Sequence, residues 1–108
     1  EAFKVAARAR PTAAAEPYPD VNDADERVLQ AAFTDGRLDA LPTKRAKRLV
    51  VLDHLAQRFE PGQRYTERQV NASLAHVSAD TATLRRYLVD EGFLDRADGE
   101  YWRSGGTV

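Results

Sequence analysis

Residues 78–103 read SADTATLRRYLVDEGFLDRADGEYWR, and this stretch decides the predicted fold. Its first half predicts a helix, because Leu84 and Leu88 recur at the i, i+4 spacing that places side chains on one helical face. Ser78 or Asp80 can cap that helix, since a short side-chain oxygen accepts from the free amides of the first turn. The sequence therefore predicts an amphipathic helix with one apolar side.

A β-hairpin is predicted directly after this helix. Gly92 predicts the helix end, since glycine accepts the left-handed conformation there without a Cβ clash. Residues 93–96 and 100–103 then flank Asp98-Gly99, a pair favoured in tight hairpin turns. Helix, glycine and short hairpin form the second half of a winged helix-turn-helix, so the predicted fold class is mainly α with a small β-hairpin.

The first half of the same motif is predicted just upstream. Thr66 and Gln69 fit the capping-box pattern, in which the N-cap and the third helical residue satisfy each other's backbone amides. They predict a short helix with Leu74 pointing inward, preceded by a short extended step at Tyr65. Residues 76–77 supply the turn into the next helix.

A long helix is predicted before these elements, from an N-cap at Thr43 to about Phe59. Leu49, Leu52 and Ala56 lie on one face with Phe59, which makes this the expected core helix. The residues expected to be buried together in the core are Leu52, Phe59, Leu74, Leu84, Leu88 and Phe93.

The N-terminal part predicts a linker rather than a second domain. Residues 1–9 are compatible with the tail of a helix, and three prolines then follow among alanines, at Pro11, Pro17 and Pro19. Proline fixes φ and removes a donor, so this stretch reads as extended chain. We expect residues 1–23 to connect an upstream segment to a winged-helix-like domain at residues 24–108, which opens with a short helix from Ala24 to Phe33.

Composition restricts the classes of function. Cysteine is absent, which excludes disulfides, thiolate nucleophiles and cysteine zinc sites. No run approaches the roughly 18 apolar residues of a spanning helix, so no membrane partner is expected. The absence of cysteine fits a cytoplasmic location. His54 and His76 have no matched carboxylate pattern, and no phosphate loop or nucleophile motif occurs. We therefore expect neither an enzyme nor a metal or cofactor site.

Positive charge is concentrated in one segment although the net charge is −1. Residues 1–42 hold 5 basic and 8 acidic side chains, residues 43–64 hold 6 and 2, and residues 65–108 hold 5 and 7. The basic cluster comprises Lys44, Arg45, Lys47 and Arg48. Cations at a helix N-terminus oppose the helix dipole, which suggests a use such as phosphate contact. The alternative is that the cluster is a solvated helix face.

Candidate DNA contacts lie on the second helix of the motif and on the hairpin. In winged helices the second helix can enter the major groove with its N-terminal residues first. The candidates are Thr81, Thr83, Arg85 and Arg86 on the helix, with Arg96 and Arg103 on the wing touching phosphate. Arginine can make a bidentate contact to guanine. The alternative is a solvated face on which Arg86 pairs with Asp90, and acidic neighbours such as Asp80 oppose phosphate.

Tyr101 and Trp102 alternate along the last strand, so one is expected on the core and the other outside. Packing of the wing is the usual explanation of such a pair, and a stacking platform for bases is the alternative.

Four segments together resemble one prokaryotic domain family. They are LPTKRAKRLVVLDHLAQRF at 41–59, YTERQVNASL at 65–74, DTATLRRYLVDEGFLDR at 80–96 and GEYWR at 99–103. The family is known only as a domain of unknown function, and it is often found in transcriptional regulators after a separate N-terminal helix-turn-helix. The resemblance covers about residues 27–105 and implies a winged-helix-like fold in a regulatory context, without a known ligand or catalytic residue.

The expected function is therefore that of a DNA-binding winged-helix domain of a bacterial transcriptional regulator, with double-stranded DNA as partner. The alternative is a protein-interaction, dimerisation or effector-sensing module of a regulator whose DNA reader is a separate domain. Near-neutral net charge favours this alternative, and the local element order favours DNA binding.

Overall fold

A computed structural model describes residues 23–107. The helix tail and linker predicted for residues 1–23 therefore lie outside the described residues, except for Asp23, which begins the first helix. The described helices are α1 (Asp23–Ala32), α2 (Arg45–Ala56), α3 (Glu67–Leu74) and α4 (Thr81–Asp90). The described strands are β1 (Phe33–Thr34), β2 (Arg37–Leu38), β3 (Arg64–Thr66), β4 (Leu94–Ala97) and β5 (Glu100–Arg103). The result is a small domain of four helices and an antiparallel sheet, with β1 and β2 as a separate short hairpin.

The β1–β2 hairpin holds the turn between α3 and α4 in place. It reverses at Asp35-Gly36, where both φ angles are positive (52° and 81°), as a two-residue hairpin turn requires. The sequence predicted a helix ending at Phe33 and no hairpin after it. The Leu38 amide donates to the Val77 carbonyl at 2.8 Å, and Val77 is buried. The hairpin therefore fixes the loop that leads into α4.

Helix α2 departs from its predicted bounds at both ends. Lys44, not Thr43, is the N-cap, and it makes no side-chain capping bond, because its own side chain lacks an acceptor. At the other end, the Phe59 amide donates to the Ala56 carbonyl at 3.1 Å, a tighter i−3 bond that ends the α-helix at Ala56. Phe59 is still buried, as predicted, but Leu49 is only half-buried because it lines an open cleft beside residues 106–107.

The capping box of α3 is confirmed. The Gln69 amide donates to Thr66 Oγ1 at 3.1 Å, and the Thr66 amide donates to Gln69 Oε1 at 2.8 Å. Val70 and Leu74 are fully buried on the inner side of this helix. Because β3 ends at the capping residue, the cap also fixes how α3 leaves the sheet.

The main sheet has the order β3-β5-β4 and is antiparallel throughout. The predicted turn at Asp98-Gly99 is confirmed, with positive φ at both residues (54° and 79°). The sequence predicted an extended step at Tyr65 but not its partner strand. Tyr65 lies opposite Tyr101 in the β3–β5 register. The sheet therefore has one strand more than the predicted hairpin.

Five of the six predicted core residues are buried, namely Leu52, Phe59, Leu74, Leu84 and Leu88. The prediction for Phe93 was wrong, since its side chain is half-buried. Strand β4 begins one residue later than predicted, so Leu94 takes the inward position of the strand. Tyr101 is also buried and closes the core from the sheet side.

Candidate nucleic-acid interface

Helix α4 carries the residues predicted to contact DNA, and its start and end are fixed locally. Asp80 is the N-cap: its Oδ1 accepts from the Thr83 amide at 3.3 Å, while Ser78 Oγ accepts from the Asp80 amide at 3.1 Å. Leu84 and Leu88 anchor the inner side of the helix in the core. The outer side is exposed, and it consists of Ala82, Thr83, Arg86 and Asp90.

A cleft of about 220 Å³ separates α4 from the β4–β5 hairpin. We call it the arginine cleft; its lining residues are Ala82, Arg85, Arg86, Val89, Asp90, Arg96 and Tyr101. Helix α4 supplies one wall and the two strands supply the other. The cleft therefore brings together three of the predicted DNA-contacting arginines from two elements.

Arg86 and Arg96 keep their charge available in this cleft. Both residues are exposed, and within residues 23–107 neither forms an ion pair. The pairing of Arg86 with Asp90, considered from the sequence, is thus not formed. The Arg96 guanidinium carbon lies 5.8 Å from the ring centroid of Tyr101, a distance at which the ring face attracts a cation.

Arg85 differs from its neighbour, because its guanidinium binds protein groups. Its Nη1 donates to Asn71 Oδ1, and its Nη2 lies 3.8 Å from Glu67 Oε2. The side chain is only 20% exposed. Arg85 therefore joins α4 to α3, and little of its hydrogen-bonding capacity is left for another molecule.

The basic cluster divides into two engaged and two free cations. Arg45 forms an ion pair with Glu91, which directly follows α4, at 2.7 Å between Nη2 and Oε1. The hydrogen bond from Arg45 lowers the pKa of the Glu91 carboxyl, and the Coulomb attraction of Arg45 adds to the effect. Lys44 and Lys47 are exposed and have no ion-pair partner among the described residues.

Arg48 also has an intramolecular role. Its Nη1 donates to the carbonyls of Thr43 at 3.0 Å and Pro42 at 3.4 Å. Its guanidinium carbon lies 5.1 Å from the ring centroid of Tyr87 on α4. Arg48 therefore closes the start of α2 onto α4 instead of projecting into solvent.

Arg103, predicted to contact phosphate, is likewise engaged. Its Nε donates to the Gly105 carbonyl at 3.0 Å, its Nη1 to the Phe59 carbonyl at 3.3 Å, and its Nη2 to the Thr107 carbonyl. A guanidinium that satisfies three backbone carbonyls holds the C-terminal segment against the end of α2. Nothing in this arrangement brings Arg103 to the arginine cleft.

The two threonine candidates on α4 differ in exposure. Thr83 lies on the exposed side of the helix, one residue beyond Ala82 of the cleft, and Thr81 at the helix start is half-buried. Thr83 is thus the better placed hydroxyl for an external contact.

Trp102 lies on the opposite face of β5 from the buried Tyr101, as the alternation along the strand predicts, and its side chain is half-buried. A neighbour of Trp102 that was not predicted is Arg64, whose guanidinium carbon lies 4.1 Å from the Trp102 ring centroid. Arg64 and Trp102 are opposite residues in the β3–β5 register, and Arg64 also lies 3.5 Å from Glu100. Only the strand register could have revealed this contact, because the residues are far apart in the chain.

Groups of metal-ligating side chains and membrane-spanning helices were both sought among residues 23–107. No group of three or more His, Asp or Glu side chains between residues 23 and 107 is placed to hold a metal ion. His54 packs edge-on against Phe33 with ring centroids 5.5 Å apart, and burial lowers its pKa. Among the same residues, no helix has the length and apolar character needed to cross a membrane.

Comparison with known proteins identifies a family but no characterised relative. Neither a curated protein nor a solved structure matches the chain. The profile of one bacterial family matches residues 37–103, which is more than half of the chain and contains α2, α3, α4 and the whole main sheet. The chain therefore belongs to the family described as "Uncharacterized protein conserved in bacteria (DUF2087)".

Proposed function

We propose that this domain is a winged helix-turn-helix of a bacterial transcriptional regulator and that it binds double-stranded DNA. In this proposal α3 and α4 form the helix-turn-helix and the β4–β5 hairpin is the wing. The element order supports it: helix, strand, helix, turn, helix and hairpin follow one another from α2 onward. The pairing of β3 with β5 adds support, since it ties the wing to the strand that precedes α3.

One observation carries the proposal: Arg86 of α4 and Arg96 of the wing line the same cleft, and both lack an ion pair in the described chain. An unpaired guanidinium on an exposed surface keeps its attraction for phosphate, and phosphate contacts supply most of the non-specific affinity for DNA. Thr83 lies one turn before Arg86 on the exposed side of α4, where its hydroxyl can contact a phosphate or a base edge.

Lys44 and Lys47 extend the proposed surface as flanking backbone contacts. The Arg45–Glu91 ion pair fixes the start of α2 beside the end of α4, which places both lysines near that end of the proposed reading helix. The engaged arginines of the basic cluster then act by positioning α2. This assignment reduces the predicted phosphate contacts to the free cations.

The experiment is a fluorescence-anisotropy titration of the chain with a duplex of random sequence at low salt. We expect Arg86→Gln and Arg96→Gln each to weaken binding. Arg27→Gln is the matched control. Arg27 is exposed on α1 and does not line the arginine cleft, so this substitution removes the same charge from another part of the surface. Equal losses in all three variants would mean that only total charge matters, and the assigned surface would be rejected.

A second candidate function is a protein-interaction, dimerisation or effector-sensing module of a regulator with a separate DNA reader. The observation that favours it is the engagement of Arg45, Arg48, Arg85 and Arg103 in intramolecular contacts. Half of the eight cations predicted to contact DNA therefore bind groups of the protein itself. Asp90 also adds a negative charge to the arginine cleft. No binding to the duplex at low salt would favour this candidate.

A further inference from the structure

We propose that the arginine cleft is a phosphate-binding site in which Arg86 and Arg96 hold one phosphate group from opposite walls. This inference rests on the proposed function in one respect: the phosphate is taken to be part of a DNA backbone. In this proposal Arg86 contacts the DNA backbone, whereas the sequence alone made it a candidate for contacting a guanine base. A free phosphate would present the same chemistry, and the test below separates the two sources.

The concave shape of the site favours phosphate over a base edge. Arg86 projects from a helix and Arg96 from a strand, and both line a cavity of about 220 Å³. A phosphate group has acceptor oxygens on all sides, so it can accept from guanidinium groups on two walls at once. A base edge is planar, and a bidentate contact to it needs only one arginine. Two free arginines around one cavity therefore fit a phosphate.

The walls of the cleft are held together by Glu67 at the start of α3. Its Oε1 accepts from the Tyr101 hydroxyl of β5 at 3.3 Å, and its Oε2 lies 3.8 Å from Arg85 Nη2 of α4. One carboxylate thus touches both the strand wall and the helix wall. Such support keeps a binding site preformed, which lowers the cost of ordering it around a ligand. Glu67 and Arg85 are positioning residues in this proposal.

The charges of the residues that line the cleft match one phosphate group. Three arginines and Asp90 line the cleft, and the Arg85 charge is partly offset by Glu67. The two free guanidinium groups and Asp90 together carry a net charge of +1, which one backbone phosphate neutralises, and Asp90 repels that phosphate. Asp90→Asn should therefore tighten binding, which is opposite to the effect of either arginine substitution.

The test has a free-phosphate arm and a duplex arm, both on the full chain. In the first, inorganic phosphate is titrated while the side-chain Nε–Hε signals of ¹⁵N-labelled arginines are followed by NMR. We expect shifts at Arg86 and Arg96 and none at Arg27. Arg86→Gln and Arg96→Gln should each abolish the shift of the remaining partner. Both residues are exposed without ion pairs in the described chain, so we expect these variants to fold normally.

In the duplex arm, Arg86→Gln should weaken binding to all sequences by the same factor and reduce the slope of log affinity against log salt by about 0.9. If phosphate shifts the Arg86 and Arg96 signals and the two substitutions abolish these shifts, the phosphate site is supported even where no duplex binds. The lack of duplex binding would then reject the proposed function alone. If Arg86→Gln weakened binding only to duplexes with a particular base pair at one position, the phosphate site would be overturned while DNA binding remained intact. The absence of phosphate shifts at Arg86 and Arg96 would also overturn it.

Discussion

Arg45 at the start of α2 donates two hydrogen bonds to the carboxylate of Glu91 just after α4, at 2.7 Å from Nη2 and 3.3 Å from Nε. This two-point contact fixes the start of the core helix against the end of the proposed reading helix. Glu91 is 15% exposed and Arg45 66% exposed, so water reaches the pair mainly from the arginine side. The basic cluster is thereby part of how the domain is assembled.

The Arg45–Glu91 pair predicts a specific pH dependence of stability. The hydrogen bond lowers the pKa of folded Glu91 below its ordinary value of 4.5, so the pair stabilises the fold above that pH and loses its effect as pH falls through the folded pKa. In urea denaturation at pH 7 and pH 3, Glu91→Gln and Arg45→Gln should each show a smaller loss of stability on acidification than the wild type. The double variant should match the single ones; a further change in it would show that the two residues act separately.

Arg85 and Arg86 should separate into a stability residue and a binding residue. Arg85→Gln breaks the contacts with Asn71 and Glu67. Hydrogen bonds to charged groups contribute about 1.5–3 kcal/mol, so the free energy of unfolding of this variant should fall by that amount. Arg86→Gln should leave the unfolding free energy within about 0.5 kcal/mol of the wild type, as expected of an exposed surface position. Chemical denaturation of both variants checks this contrast, which equal losses would contradict.

Leu88 tests the assignment of the inner face of α4. Its side chain is fully buried, and Leu88→Ala should cost about 2–5 kcal/mol of unfolding free energy because it leaves a cavity in the core. Val89→Ala is the control from the neighbouring, half-buried position and should cost less. A cost below about 1 kcal/mol for Leu88→Ala in chemical denaturation would mean that α4 presents another face to the core.

The free lysines of the basic cluster should affect DNA binding without affecting stability. Lys44→Ala together with Lys47→Ala should weaken binding to all duplexes alike, and the salt slope should fall by about 0.9 for each lost phosphate contact. Arg48→Ala should lower stability, since its guanidinium binds the Pro42 and Thr43 carbonyls. Anisotropy and denaturation measured on the same variants check both statements. Unchanged affinity in the lysine variant would identify a solvated helix face.

Local rules predicted much of the fold because the contacts behind them are local. The Thr66–Gln69 capping box, the Asp98-Gly99 turn and the Leu84/Leu88 face all depend on residues within four positions of one another. The β3–β5 pairing was not predicted, since its register joins Tyr65 to Tyr101 across two helices. The local pattern also placed the start of the strand one residue too early. It therefore assigned the inward position to Phe93, which Leu94 occupies instead.

The candidate site was likewise predicted only in part, because its contacts join residues that are distant in the chain. Sequence composition identified the cations, but their availability depends on partners that are distant in the chain. Arg45 meets Glu91 46 residues away, and Arg103 meets Phe59 44 residues away. No spacing rule in the sequence separates these engaged arginines from Arg86 and Arg96. The structure makes that separation by placing acceptors beside some cations and not beside others.

The salt dependence of duplex affinity for the wild-type chain tests DNA binding most directly. Arg86 and Arg96 are assigned to one shared phosphate and Lys44 and Lys47 to one phosphate each, and each neutralised phosphate contributes about −0.9 to the slope of log affinity against log salt. The expected slope therefore lies between about −0.9, if the arginine cleft binds its one phosphate alone, and about −2.7, if each of the two lysines also binds a phosphate. Anisotropy titrations of a random duplex across a series of salt concentrations measure this slope. Binding that weakens along such a line supports the account, and no binding at the lowest salt contradicts it.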